Sequence, residues 1–212
     1  GGIMTKMTIF LFLVTLFSPL TLSSAEESQN ISTKTAVIFN TLCAKCHEGE
    51  CSGRLSFDTG SKAADSHIKR YAGDTTVSKD ESKEFFTLLN HMKTKCALLM
   101  PDGDKWEQEN LSYFALPSSK GYFIPLGLLK SGKYLIVIKT KEEIHFRVEV
   151  ISNRFDSFLD ATVCPDQKEE SLGFTLDETA NTFLRIQSRK PLHITAMAVS
   201  YTHLTLPTIC SV

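Results

Sequence analysis

The residues with most chemistry to offer stand together in Cys43-Ala-Lys-Cys46-His47. Two thiols separated by two residues at a helix end can reach the two vinyl groups of one haem, and the adjacent imidazole is then held beneath the iron as its proximal donor. Three other chemistries draw on the same residue types. A redox-active dithiol sits where a strand runs into a helix, and no strand pattern precedes Cys43. A zinc ion would take Cys43, Cys46, His47 and Cys51, donors packed closer than the pair, loop and pair spacing of structural zinc sites. An exported cysteine pair can also form a plain structural disulfide. The export signal and the preceding helix described below favour haem.

A helix must position this motif, and the sequence supplies one. Ser32-Thr-Lys-Thr-Ala-Val-Ile-Phe-Asn-Thr-Leu42 opens on an N-cap serine and places Ala36, Phe39, Leu42 and Cys43 on one face. Phe85, Leu88, Leu89 and Met92 mark a second amphipathic helix within Ser82 to Leu99, and Trp106, Leu111 and Phe114 a shorter third from Asp104 to Phe114. Gly49 to Gly73 is rich in Gly, Ser and Asp, with one helical turn expected around Lys62–Tyr71. The run Leu116-Pro-Ser-Ser-Lys-Gly121 reads as a linker, and beyond it the period changes to that of strands. Lys133–Lys139 is an apolar run, and Ile144, Phe146, Val148 and Val150 alternate with polar residues as a half-buried strand does. Further short runs at Phe158–Val163, Gly173–Leu176, Thr182–Gln187 and Leu192–Ala198 predict a small antiparallel β-sandwich.

The chain has 212 residues, a hydrophobic fraction of 42% with 22% charged, and a formal charge of -1, which is globular and excludes a basic nucleic-acid-binding protein. Residues 1–25 read as a signal peptide: Lys6 is the basic start, Ile9 to Phe17 the apolar centre, and Ser23-Ser24-Ala25 the cleavage site. Pro19 and the Ser/Thr cluster end the apolar run short of the ~20 residues needed to span a bilayer, so no stable membrane span is expected after cleavage. Export implies a periplasmic protein, where cysteines can be oxidised or can take up haem. Val199-Ser-Tyr-Thr-His-Leu-Thr-Leu-Pro-Thr208 resembles a translated sequencing adapter, and residues 199–212 are expected to be read-through.

Residues 33–114 resemble a class I cytochrome c domain: Phe39 four residues before the first haem cysteine, then the Cys43-Ala-Lys-Cys46-His47 motif, irregular chain and helix, Met100-Pro101, and a short helix with Leu111, Tyr113 and Phe114. The resemblance implies an all-α class I cytochrome c domain at 26–117, and with the small antiparallel β-sandwich that the strand pattern predicts at 121–198 it makes an α + β two-domain chain. It also implies one covalent haem c on Cys43 and Cys46, with His47 as proximal and Met100 as distal iron ligand. A soft thioether favours Fe(II), and His/Met ligation raises the potential of a haem used for electron transfer. Met92 reads as core, while His67 and His91 are alternative distal donors. Arg54, Arg70, Tyr71 and Trp106 are propionate partners by donor type alone. Cys51 and Cys96, both in the implied haem domain, are the first choice for a disulfide, which leaves Cys164 over.

The function expected is outer-sphere electron transfer between redox partner proteins, without catalysis, the β-domain docking a partner or a second copy. Two alternatives stay open: a haem enzyme or gas sensor with an open distal position, and a non-haem zinc or disulfide module.

Overall fold

The computed structural model describes residues 31–48, 61–72, 76–101, 105–163 and 168–202. A continuous helical segment begins the described chain. It is made of α1 (Thr33–Ile38), a π-helical turn (Phe39–Cys43) and α2 (Ala44–His47). The Ser32 side chain caps it, accepting from the Thr35 N–H at 3.2 Å. Next come α3 (Ser61–Tyr71) and α4 (Lys79–Lys95), the latter opened by a capping box in which Ser78 and Glu81 satisfy each other's backbone N–H. Cys96 closes α4 in the left-handed conformation at φ 49, and a 3₁₀ turn follows at Gln108–Phe114.

Among the described residues seven antiparallel strands follow: β1 (Gly121–Leu129), β2 (Gly132–Thr140), β3 (Phe146–Ser152), β4 (Ser157–Val163), β5 (Glu169–Leu176), β6 (Ala180–Ser188) and β7 (Ile194–Thr202). They form a four-stranded sheet in the order β1-β6-β3-β4 and a three-stranded sheet in the order β5-β2-β7. Register sorts each strand's residues between two faces. In the larger sheet, Ile124, Leu184, Val150 and Leu159 share one row, and Tyr122, Ile186, Val148 and Ala161 the next. Both rows are buried in a core completed by Tyr134, Ile136 and Ile138 of β2 and Leu172, Phe174 and Leu176 of β5.

This architecture corrects the expected fold class. The chain is not an all-α class I cytochrome c domain followed by a separate small β-sandwich. The described helices are few, and the two antiparallel sheets dominate. The physical reason is burial. Ala36, Val37, Ile38 and Phe39 are almost fully enclosed, and they belong to the same hydrophobic cluster as Phe123, Val148 and Leu184 of the sheet. The helices share a core with the strands.

The helical segment lies across the outer face of the four-stranded sheet, and Gly121 allows the close approach. A Cβ at that position would meet the Ile186 carbonyl oxygen at 2.6 Å and the Thr41 methyl at 3.0 Å. α4 packs on the helical segment through Phe85 against Phe39 of the π-turn, with ring centroids 6.2 Å apart, and Met92 is core as expected. Lys34–Glu81 (2.6 Å) and the Ser32 N–H to Glu84 (2.9 Å) pin the start of α1 to α4.

β7 runs through residues 199–202, so four residues of the segment expected to be read-through pair with β2. There the Tyr201 ring lies against Gly132, whose φ of 144 a side chain would rarely adopt. Residues 1–25, 203–212 and Arg54 fall outside the described residues, as do Cys51 and Cys164. Cys96 is disulfide-bonded, and its partner is also outside them.

Candidate functional site

The Cys43-Ala-Lys-Cys46-His47 stretch straddles the junction between the π-turn and α2. Residues three and four apart share a helix face, so Cys43, Cys46 and His47 lie toward one side, and Lys45 and Glu48 toward another. The second side meets the sheet. Lys45 Nζ donates to Glu149 Oε1 of β3 at 3.1 Å, and Arg185 Nη2 of β6 donates to Glu48 Oε1 at 2.5 Å. Gln187 Nε2, one pleat further along β6, donates to the Thr41 carbonyl at 2.6 Å. Arg185 also faces Glu149 across the strand pair, its Nη1 lying 3.6 Å from Oε2, and Arg147 approaches Glu149 at 3.4 Å.

This network is buried: the Arg185 side chain is 1% exposed and that of Glu149 10%. Ions withdrawn from water cost several kcal/mol each, which their mutual attraction must offset. Among the described residues, Arg185 Nε and Glu149 Oε2 have no hydrogen-bond partner. The sequence reading missed both residues. Alternation put Glu149 on a solvent face, and nothing local in Phe-Leu-Arg-Ile marks Arg185 as enclosed. The signal available was a charge at the centre of each of two neighbouring apolar strands.

The first side carries the expected ligands. His47 is buried, Cys43 half-buried and Cys46 exposed, and both thiols are free. Burial, with the neighbouring Cys46 in support, pushes the Cys43 thiol up to about 12. That environment disfavours Cys43 as the nucleophile of a redox-active pair.

Met100 is half-buried, and its Sδ lies 3.6 Å from Asn40 Nδ2, which donates to the Leu99 carbonyl at 3.0 Å. Asn40 thus ties the loop bearing Met100 to the helix one turn before Cys43. The Asn40 Oδ1 is buried without a hydrogen-bond partner among the described residues. His67 of α3, one of the alternative distal donors, lies beside His47, with ring centroids 6.1 Å apart. His91 is on α4, and Arg70 and Tyr71 are exposed at the end of α3.

The donors fit a c-type haem in type and order: two unbridged thiols, a buried imidazole directly after them, and a thioether brought to the same helix. Among the described residues no group of three or more His, Cys, Asp and Glu gathers to hold a metal ion by itself. Two open clefts lined by described residues lie elsewhere, one at the β3 and β6 ends around Phe146 and Arg189, the other beside Tyr113 and Tyr122. No described helix is long and apolar enough to cross a membrane. No protein-family model matches the chain, and no curated protein matches it.

Proposed function

We propose that this is an exported, periplasmic electron-transfer protein carrying one covalent haem c on a helix docked against a β-sheet. Cys43 and Cys46 are the tethers, His47 the proximal donor and Met100 the distal donor. One observation carries the reading: a helix presents two free thiols and a buried imidazole on one side while its other side is locked to the sheet by Lys45, Glu48, Arg185 and Glu149. When bound, the haem supplies a one-electron Fe(III)/Fe(II) couple.

The chain's own residues do the positioning. The Gln187 amide and the ion network fix the rotation of α2, and therefore the direction in which His47 points. Enclosure of His47 limits access of water to that imidazole. The β-sheets serve as the platform that holds the helix, and the partners are one-electron donor and acceptor proteins. The zinc module keeps Cys51 as a ligand outside the described residues, and the dithiol reading meets the raised Cys43 thiol.

The test is expression in a bacterial periplasm together with a c-type cytochrome maturation system. A haem-stained band on a denaturing gel, lost in Cys43→Ser/Cys46→Ser, is expected. A purified protein with no covalent haem, and with zinc or a Cys43–Cys46 disulfide found by mass spectrometry, refutes the reading.

A further inference from the structure

The resemblance carries Met100 over as distal donor from its place in a loop directly before Pro101, whereas the structure sets a second imidazole beside His47. The His47 and His67 ring centroids are 6.1 Å apart with planes crossed at 70°. Two imidazoles held on opposite sides of one metal ion, each through a nitrogen at about 2.0 Å, have ring centres about 6 Å apart. Crossed planes are no obstacle, because each ring can turn about its own metal–nitrogen bond. His67 is carried by an 11-residue helix, and its ring also meets Tyr71 one turn later at 4.6 Å, a contact that limits its rotamers. Met100 is instead engaged with Asn40, seven positions before His47 in the chain.

We propose that His67 competes with Met100 for the axial position opposite His47, so that the haem-loaded protein contains a bis-histidine fraction beside a His/Met fraction. This rests on the haem reading above. The two donors differ in the property that matters: imidazole is the harder base and favours ferric iron, and the thioether is softer and favours ferrous iron. The mixture is therefore weighted toward His67 in the ferric state and toward Met100 in the ferrous state.

The ferric, haem-loaded wild-type protein, His67→Gln and Met100→Ala are compared by far-red absorption, which reads the Met-to-iron charge transfer, and by electron paramagnetic resonance, which reads spin state. The exposed His67 ring touches His47 and Tyr71, so far-ultraviolet circular dichroism first checks that His67→Gln keeps the helix content of the wild type. With ferric iron weighted toward His67, the wild type shows under about half of the full charge-transfer band, and His67→Gln raises it by about twofold or more. Met100→Ala stays low-spin because His67 takes the whole population. A band unchanged by His67→Gln, or a high-spin Met100→Ala, overturns the competition and leaves the haem reading intact. Absence of covalent haem from the wild type overturns both.

Discussion

Arg185→Met tests whether the buried ion network holds the helix bearing Cys43, Cys46 and His47 on the sheet. Methionine keeps most of the stem volume of arginine and removes the charge. Glu48, whose side chain is 29% exposed, loses its 2.5 Å partner and turns to water at small cost. Glu149 is the expensive residue. Its side chain is 10% exposed, and it loses the 3.6 Å guanidinium while keeping Lys45 at 3.1 Å and Arg147 at 3.4 Å. Breaking a buried pair outright costs about 3–5 kcal/mol, so with two cations remaining the expected loss is about 2–3 kcal/mol. Urea denaturation followed by far-ultraviolet circular dichroism measures it, with the slope checked for constancy. The companion Arg185→Met/Glu149→Leu should return to within about 1 kcal/mol of the wild type, since a whole ion pair can be exchanged for apolar volume at little net cost. Hydrogen exchange adds a local reading: amides of residues 41–48 should lose protection in Arg185→Met before those of β2 and β5. A single-variant loss below about 0.5 kcal/mol, or strictly additive single and double variants, would refute the argument.

Two further outcomes follow from the same geometry. In the haem-free protein at mildly alkaline pH, iodoacetamide should modify exposed Cys46 well before Cys43, whose thiol burial pushes up to about 12; mass spectrometry of timed digests reads the order, and equal rates would contradict the burial. Arg147 Nε donates to Asp160 Oδ1 at 2.7 Å, and this hydrogen bond holds the Asp160 carboxyl below its ordinary value. A lowered folded-state pKa contributes stability that is complete above the unfolded value, about 3.9, and is lost as pH falls through the folded value. Asp160→Asn should therefore have a shallower loss of stability below about pH 4, by under about 1 kcal/mol because both side chains are well exposed. An unchanged acid limb would remove Asp160 as a contributor.

The strands with strong periodicity were legible in the sequence, and the exceptions have physical causes. Phe146, Val148 and Val150 are buried as their alternation predicts, with Ile144 half-buried just ahead of β3. β1 was not legible because Pro125 and Gly127 interrupt its apolar run. Both are accommodated because β1 is an edge strand with a register shift between them. The Ser32 cap and the Met92 core position were readable from local pattern alone, because capping and helical spacing are local properties. Helix pattern, however, says that Ala36 and Phe39 need a partner surface without saying which. An all-α domain was one answer, and the face of a β-sheet is the answer the structure gives. His67 shows the same limit: its place beside His47 depends on the path of a Gly- and Ser-rich stretch that carries no periodicity.

The placement of charges on the docked helix explains more than stability. An apolar helix face against a sheet resists separation but only weakly resists rotation about the helix axis, because hydrophobic burial is not directional. Lys45 and Glu48 supply the direction, meeting their opposites in Glu149 and Arg185. A half-turn of α2 would set Cys46 against these two buried ions, removing Lys45 and Glu48 from them, and leaving Arg185 and Glu149 with only each other and Arg147. The penalty for stripping partners from a buried charge is several kcal/mol, more than a short helix gains from any alternative apolar contact. The network thus selects one rotation, in which Cys43, Cys46 and His47 turn away from the sheet. The orphaned Arg185 Nε and Glu149 Oε2 are the cost of that selection. On this argument Arg185→Met/Glu149→Leu, although stable, should hold α2 in more than one rotation, visible as doubled amide resonances for residues 43–48 and a single set for β2. One sharp set for both segments would mean that packing alone orients the helix.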